Sequence, residues 1–202
     1  MATLLYQGHS SFRLVSDSGL VVYIDPYKGN GYNIPADVIL VTHQHFDHCR
    51  TDIVTKKDDC TIITNFEAYS DGEYNSFEIN DMLVEAVPAY NRNHPKEECV
   101  GYIIEVDGRT LYFPGDTGIT EEMKEYPARN IDIFFVPMDG VYTMTVDEAK
   151  QCCEIVKAKY CVPIHTAPQY QRDDDKLYDI ETAEKFEGSI KVIIKPGENI
   201  VI

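Results

Sequence analysis

Residues 38–48 read Val-Ile-Leu-Val-Thr-His-Gln-His-Phe-Asp-His, an apolar run that ends in three histidines and one aspartate. The apolar run predicts a buried strand, and side chains at positions i and i+2 of an extended chain share a face. His43 and His45 can therefore bind one metal ion together. If the chain turns just after them, Asp47 and His48 reach a second ion nearby. Histidine and carboxylate ligands without thiolate suit zinc, manganese or iron.

Three more residues of metal-binding type stand where other apolar runs end. His94 lies in a polar loop between the runs 83–87 and 100–106, and His165 closes the run Tyr-Cys-Val-Pro-Ile-His. Asp116 follows the run Thr-Leu-Tyr-Phe-Pro-Gly. Residues of these types at successive strand ends indicate one shared site at the rim of a sheet.

The order His-x-His-x-Asp-His, then His, then Gly-Asp, then a late His resembles that of the metallo-β-lactamase-fold hydrolases. The resemblance implies an α/β fold, the four-layer αββα sandwich, and two divalent ions, with zinc preferred and manganese or iron admissible. It places His43, His45 and His94 on one ion, Asp47, His48 and His165 on the other, and Asp116 as the bridge between them.

Shorter motifs resemble those of the ascorbate-6-phosphate lactonase-like branch of that superfamily. They are Gly-His-Ser-Ser-Phe at 8–12, Ile-Asp-Pro at 24–26, Pro-Ala-Tyr-Asn at 88–91, Val-Gly-Tyr at 100–102, Gly-Asp-Thr at 115–117, Tyr-Thr-Met at 142–144 and Pro-Ile-His at 163–165. This resemblance implies a lactone or a phosphorylated metabolite as substrate, although such motifs specify a subfamily better than a substrate.

Six further residues are candidates for supporting the ligands or lining the substrate site. Asp25 ends an apolar run, and metal-bound imidazoles usually donate their other N–H to such a carboxylate, but an Asp-Pro turn residue is the alternative. His9 either faces the cleft or has a structural role. The remaining candidates are chosen from their positions in the loops beside predicted ligands: Tyr90, Arg92, Asp139 and Tyr142.

The hydrophobic pattern predicts a strand-rich first half and alternating helices and strands after it. The expected strands are 3–6, 11–15, 20–24, 38–41, 61–64, 83–87, 100–106, 110–113, 131–136, 161–164 and 191–194. The expected helices are 119–125, 146–158 and 181–186. Asp107-Gly108 predicts a hairpin turn, and Thr145 with Glu148 predicts a capping box. No linker or low-complexity tract divides the chain, so a single domain over 1–202 is expected.

Composition limits the partners and the compartment. The chain carries 18 basic and 34 acidic residues, a net charge of −16, and this surface repels a polyanion such as nucleic acid. No apolar run approaches the ~18 residues of a membrane-spanning helix, and no secretory signal is evident. The six cysteines form no C-x-x-C motif. We therefore expect a cytoplasmic protein with no membrane or nucleic-acid partner, while a homo-oligomer remains open.

Two divalent ions held with only two carboxylates, Asp47 and Asp116, leave a net positive site. Such a site favours a bridging hydroxide and attracts the developing oxyanion, so these two residues are assigned catalytic roles. The expected function is hydrolysis of a small, anionic ester, lactone or phosphorylated metabolite. The alternatives are a phosphodiesterase acting on a nucleotide or nucleic acid, and a non-catalytic or redox metal-binding protein. Diiron flavoprotein relatives usually carry Glu at the position of His45, which disfavours the redox alternative.

Overall fold

The computed structural model describes residues 1–171, 174–187 and 191–202 of the chain. Its strands are β1 (Thr3–Gly8), β2 (Ser11–Val15), β3 (Val21–Ile24), β4 (Ala36–Leu40), β5 (Lys56–Ile63), β6 (Tyr69–Ser70), β7 (Glu73–Tyr74), β8 (Ser76–Ile79), β9 (Met82–Pro88), β10 (Val100–Val106), β11 (Arg109–Phe113), β12 (Ile133–Pro137), β13 (Tyr160–Ile164) and β14 (Asn199–Val201). The α-helices are α1 (Asn65–Ala68), α2 (Val146–Val156) and α3 (Ile180–Lys185), and 3₁₀ helices cover Thr51–Ile53 and Glu121–Arg129.

Two six-stranded mixed sheets contain most of the strands. The first sheet has the order β14-β1-β2-β3-β4-β5 and the second the order β13-β12-β11-β10-β9-β8, while β6 and β7 form a separate hairpin. Within the first sheet, β1, β3 and β4 run in one direction, because β2 is antiparallel to both of its neighbours and β4 is parallel to β3. In the second sheet, β9, β11, β12 and β13 likewise share a direction.

The main core lies between the two sheets. Alternate residues of each strand point inward, as a sheet with one face against another requires. Phe12 of the first sheet packs on Phe135 of the second with ring centroids 4.6 Å apart, and Phe135 stacks on Phe113 at 4.5 Å. Buried aromatic side chains of this size supply a large share of the apolar area removed from water.

The outer faces of the sheets are covered unequally. On the second sheet, α2 and the 3₁₀ helix Glu121–Arg129 bury Phe134 and Tyr112. The predicted capping box of α2 is confirmed, since Thr145 and Glu148 each bond the backbone N–H of the other. On the first sheet, loop residues and the single turn Thr51–Ile53 cover the apolar outer side chains.

Several local predictions are confirmed and one strand prediction is wrong. The hairpin between β10 and β11 turns at Asp107-Gly108, where both residues have positive φ. The predicted last strand at 191–194 is replaced by β14, which pairs with β1 after the turn at Gly197. Of that apolar run, Lys191 makes only an isolated bridge to Cys161. Apolar content alone does not indicate whether residues 191–194 or residues 199–201 pair with the free edge of β1.

The segment predicted as a helix at 119–125 is displaced and tighter than expected. It forms the 3₁₀ helix Glu121–Arg129, with Pro127 inside it. Proline has no N–H to donate, so an α-helix cannot continue through this position without losing a hydrogen bond. Helix α2 ends two residues before its predicted limit of 158, because Lys157 adopts a left-handed conformation and closes the last turn.

Candidate metal centre

All seven predicted ligands converge at one rim of the two sheets. The four-ligand stretch 43–48 follows β4, Asp116 follows β11, His165 follows β13, and His94 lies in the loop after β9. These strands run in the same direction within their own sheets, so their carboxyl ends meet at the same edge. All of the predicted ligands are buried except His45.

The three-histidine cluster consists of His43, His45 and His94. One ring nitrogen of each lies within 4.8 Å of the others. His94 Nε2 and His45 Nδ1 are 3.2 Å apart, and the ring centroids of His43 and His45 are separated by 4.6 Å. Nitrogens at these distances can share one ion.

The Asp-His-His cluster consists of Asp47, His48 and His165, and His9 joins the same group of potential ligands. His9 Nε2 donates a hydrogen bond to Asp47 Oδ2 at 3.1 Å. The His9 ring packs on the ring of His165 with centroids 3.7 Å apart. His9 is therefore in contact with two members of this cluster.

Asp116 lies between the two clusters. Its Oδ1 is 3.3 Å from His48 Nε2 and 3.3 Å from His165 Nε2. Its Oδ2 is 3.4 Å from His94 Nε2. Each cluster therefore faces one oxygen of the same buried carboxylate.

Two hydrogen-bond acceptors, the carboxylate of Asp25 and the hydroxyl oxygen of Thr42, orient the rings that follow β4. Asp25 Oδ2 accepts from His48 Nδ1 at 2.8 Å and from the Thr42 hydroxyl at 2.7 Å. Because the single hydroxyl proton of Thr42 points to Asp25, its oxygen accepts from His43 Nδ1 at 3.0 Å. Because Nδ1 of each histidine makes these bonds, Nε2 is the ring atom that faces the site and is available to a metal ion.

The other two supported histidines are held from the second sheet. Asn91 Oδ1 accepts from His94 Nδ1 at 3.1 Å, while the amide nitrogen of Asn91 donates to the carbonyls of Asp116 and Tyr142. Asp139 Oδ2 lies 3.1 Å from His165 Nδ1. Neither Thr42 nor Asn91 was a predicted site residue, although each stands within three positions of the histidine that it supports.

The backbone is strained at three points of the centre. His9, Asp25 and His165 have φ of 57°, 43° and 46°, a region that non-glycine residues seldom adopt. Gly115 has φ of 62°, and a Cβ there would lie 2.9 Å from Thr42. The site thus requires glycine just before Asp116, because that loop passes directly against the stretch that carries the histidines.

The charges of the carboxylates dominate the titration of the Asp-His-His cluster. Burial alone would lower the pKa of His165, but Asp116 and Asp139 outweigh it and raise the pKa to about 10. His48 behaves in the same way, because Asp116 and Asp25 hold its pKa well above the ordinary value. Burial would raise the pKa of Asp116, but the charges of His165 and His48 keep it well below its usual range.

The neutral histidines titrate in the opposite direction. Burial, with the charge of His48, lowers the pKa of His43 well below its ordinary value, and burial also lowers that of His94. Burial and the charge of His165 lower the pKa of His9 to about 4. Burial would raise the pKa of Asp47, yet the hydrogen bond from His9 and the charge of His48 lower it.

The donor atoms fit divalent cations. Four buried atoms have no hydrogen-bond partner among the described residues, although they face one another across the centre: Nε2 of His43, His48 and His165, and Oδ1 of Asp116. Unsatisfied buried polar groups are costly, so several in one place indicate a bound ligand. Imidazole nitrogen with carboxylate oxygen is the donor set of zinc and related metals.

A cavity of about 390 Å³ opens over the two clusters. Its lining consists of His45, Phe46, Asp47, Asn93, His94, Asp116, Tyr142, Gln169 and Tyr170. Tyr142 is thus placed where the sequence suggested. Phe46, Gln169 and Tyr170 were not predicted, and the last two come from a segment that carries no ligand type.

Two predicted lining residues lie elsewhere. Tyr90 directs its hydroxyl to Glu122 at 3.1 Å and lies outside that lining. Arg92 lines a neighbouring cavity of about 370 Å³, which shares Asn93 and Tyr142 with the first. Both residues lie within four positions of His94 in sequence, but neighbouring side chains of an extended loop point in different directions.

Two facing sheets with this cluster at their rim define a metallo-β-lactamase fold. The family model described as a beta-lactamase superfamily domain matches residues 3–165, and the chain belongs to this superfamily as a metal-dependent hydrolase. A UPF0173 metal-dependent hydrolase of Carboxydothermus hydrogenoformans is 32% identical over 231 aligned positions, which cover 98% of this chain and 99% of the relative.

Two solved structures are similar over nearly the whole chain. A protein of Parabacteroides distasonis, named as a metal-dependent hydrolase, has 30% identity and a TM-score of 0.74, with 95% of this chain and 92% of that chain covered. Igni18, a metallo hydrolase of Ignicoccus hospitalis, has 22% identity and a TM-score of 0.71, with coverage of 98% and 97%, and shows the shared fold. No helix among the described residues is long and apolar enough to cross a membrane.

Metal affinity is expected to rise with pH across the neutral range. His48 and His165 hold protons when metal-free, because their pKa values are raised, and binding at Nε2 requires those protons to leave. Each proton released makes the apparent affinity rise about tenfold per pH unit. Calorimetric titrations of the metal-free protein with Zn²⁺ between pH ~6 and ~8, in buffers of different ionisation enthalpy, measure the number of protons released on binding. A pH-independent affinity would contradict this result.

Proposed function

We propose that this protein is a dinuclear metal-dependent hydrolase of a small ester, lactone or phosphorylated metabolite. The observation that carries the proposal is the position of Asp116, with one oxygen toward each histidine cluster at 3.3–3.4 Å. A carboxylate shared in this way suits a bridge between two ions. The nitrogen-rich donors favour zinc, with manganese and iron as alternatives.

Metal ions held by these residues would lower the pKa of a bound water toward ~7 and would stabilise negative charge on the substrate oxygen. The side chains provide the rest. Asp116 and Asp47 keep the centre anionic enough to hold cations, and His9 fixes Asp47 Oδ2. Asp47 also lines the cavity in its ionised form, so it adds a negative charge to the wall of that cavity.

The size and surroundings of the cavity support a small substrate. A volume of about 390 Å³ falls at the lower end of small-molecule sites. Phe46, Tyr142 and Tyr170 provide aromatic walls, and Asn93 and Gln169 provide amides that can orient a substrate. The net charge of −16 repels long nucleic acids. Cleavage of a nucleotide or of RNA is therefore ranked as the second candidate function.

We extend the proposal to the cellular compartment. Three buried cysteines, Cys99, Cys152 and Cys161, form no disulfide in the structure. Free thiols persist in reducing surroundings, which supports a cytoplasmic location.

The metal-loaded protein is expected to bind two ions per chain and to hydrolyse a small lactone or phosphorylated sugar derivative. Metal analysis of the purified protein tests the count. A panel of lactones, thioesters, bis-(p-nitrophenyl) phosphate and structured RNA tests the substrate class, at ~0.15 M salt, where the Debye length is about 8 Å. Processing of RNA with no turnover of any small ester would reverse the ranking of the two candidate functions.

A further inference from the structure

The three-histidine cluster is supported by uncharged groups. The amide oxygen of Asn91 holds His94 at 3.1 Å, and the hydroxyl oxygen of Thr42 holds His43 at 3.0 Å. The third member, His45, is exposed to solvent. The three histidines of this cluster contribute no negative charge of their own.

The Asp-His-His cluster is surrounded by carboxylates. Asp47 is itself one of the donors, Asp25 bonds His48 at 2.8 Å, and Asp139 lies 3.1 Å from His165. The side chains of Asp25 and Asp139 are 1% and 0% exposed. Water therefore screens these charges little.

This difference decides how the two positions hold a cation. A carboxylate next to a ligand imidazole makes the ligand more basic, and its charge attracts the ion directly. Asp116 lies at nearly equal distances from both clusters, so its charge does not make their metal affinities differ. Thr42 passes part of the influence of Asp25 to His43, but only through a second hydrogen bond.

Resting on the dinuclear site proposed above, we infer that the two metal positions are unequal. The Asp-His-His cluster fills first and tightly, and the three-histidine cluster takes the second ion weakly. Asp139 is a positioning residue for the tight position, since it acts on the ion through His165. Asn91 has the corresponding, uncharged role at the weak position.

The order of filling is tested by titrating metal-free, full-length protein with Zn²⁺ in competition with a chromophoric chelator. Wild type is expected to show two binding steps. His94→Ala should remove the weak step and keep the tight one, and His165→Ala should remove the tight step. Removal of the tight step by His94→Ala, with the weak step kept, would overturn the inference.

The role of Asp139 is tested with a charge-matched pair of variants. Oδ1 of Asp139 accepts from the backbone N–H groups of residues 141–143, and asparagine keeps that acceptor. Asp139→Asn is expected to weaken the tight step by about 10- to 100-fold and leave the weak step in place. Asp132→Asn removes the same charge at the start of β12, whereas Asp139 follows the end of that strand. Asp132 pairs with Lys159, so this variant should change neither binding step.

The outcomes separate this inference from the proposed function. A single ion in wild type, at any Zn²⁺ concentration, would contradict the dinuclear site itself. Two steps with Asp139→Asn weakening only the weaker one would leave the dinuclear site intact and overturn the unequal positions. If circular dichroism shows that Asp139→Asn does not fold, the comparison of His94→Ala with His165→Ala decides the question.

Discussion

Replacing Asp116 with asparagine is expected to lower kcat on the order of 10³-fold, as the loss of one strong electrostatic group in a dry site does. Asp116 is 3% exposed and faces nitrogens of His48, His94 and His165 at 3.3–3.4 Å. The asparagine side chain keeps the volume but removes the charge, and its amide N–H groups repel cations. Steady-state rates on the best substrate of the panel, with metal in excess, measure the effect.

The control for Asp116→Asn is Asp132→Asn, which removes a second buried carboxylate. Asp132 is 7% exposed and lies next to β12, with Lys159 as its partner. It makes no contact with the ligand histidines among the described residues, so its rate should stay close to wild type. Near-normal turnover of Asp116→Asn in saturating metal would show that this carboxylate does not bridge the site.

Removing the metal with a chelator is expected to abolish hydrolysis and to lower Tm by about 8–16 °C. One ion present at 1,000 times its Kd stabilises the folded state by about 4 kcal/mol, and each kcal/mol shifts Tm by about 2–4 °C for a chain of this size. The physical cause is the charge of the centre, because Asp25, Asp47, Asp116 and Asp139 meet at one rim without a nearby Lys or Arg partner among the described residues. Calorimetric scans before and after chelation, and after Zn²⁺ is restored, measure it.

The variant His43→Ala/His165→Ala provides the control for this shift. It removes one histidine from each cluster, so the chelator should leave its Tm almost unchanged. An equal chelator-induced shift in this variant and in wild type would place the stabilising ion elsewhere in the molecule.

Local sequence patterns were sufficient for the features that depend on neighbouring residues. The stretch 38–48 carries both the end of a buried strand and four candidate metal ligands, since a strand brings residues two apart onto one face. The capping box of α2 and the turn at Asp107-Gly108 follow from side-chain and backbone preferences within a few residues. These preferences act over one turn of chain and need no knowledge of the rest.

The tertiary structure decided which distant segments meet. Residues 199–201, rather than 191–194, complete the first sheet, because pairing with β1 depends on where the returning chain finds an open edge. The contact between Asp139 and His165 depends on how loops of the second sheet pack against each other. Gln169 and Tyr170 reach the cavity for the same reason. Residue types and strand ends therefore predicted the candidate ligands, whereas the packing of two sheets set their grouping, their supporting charges and the shape of the cavity above them.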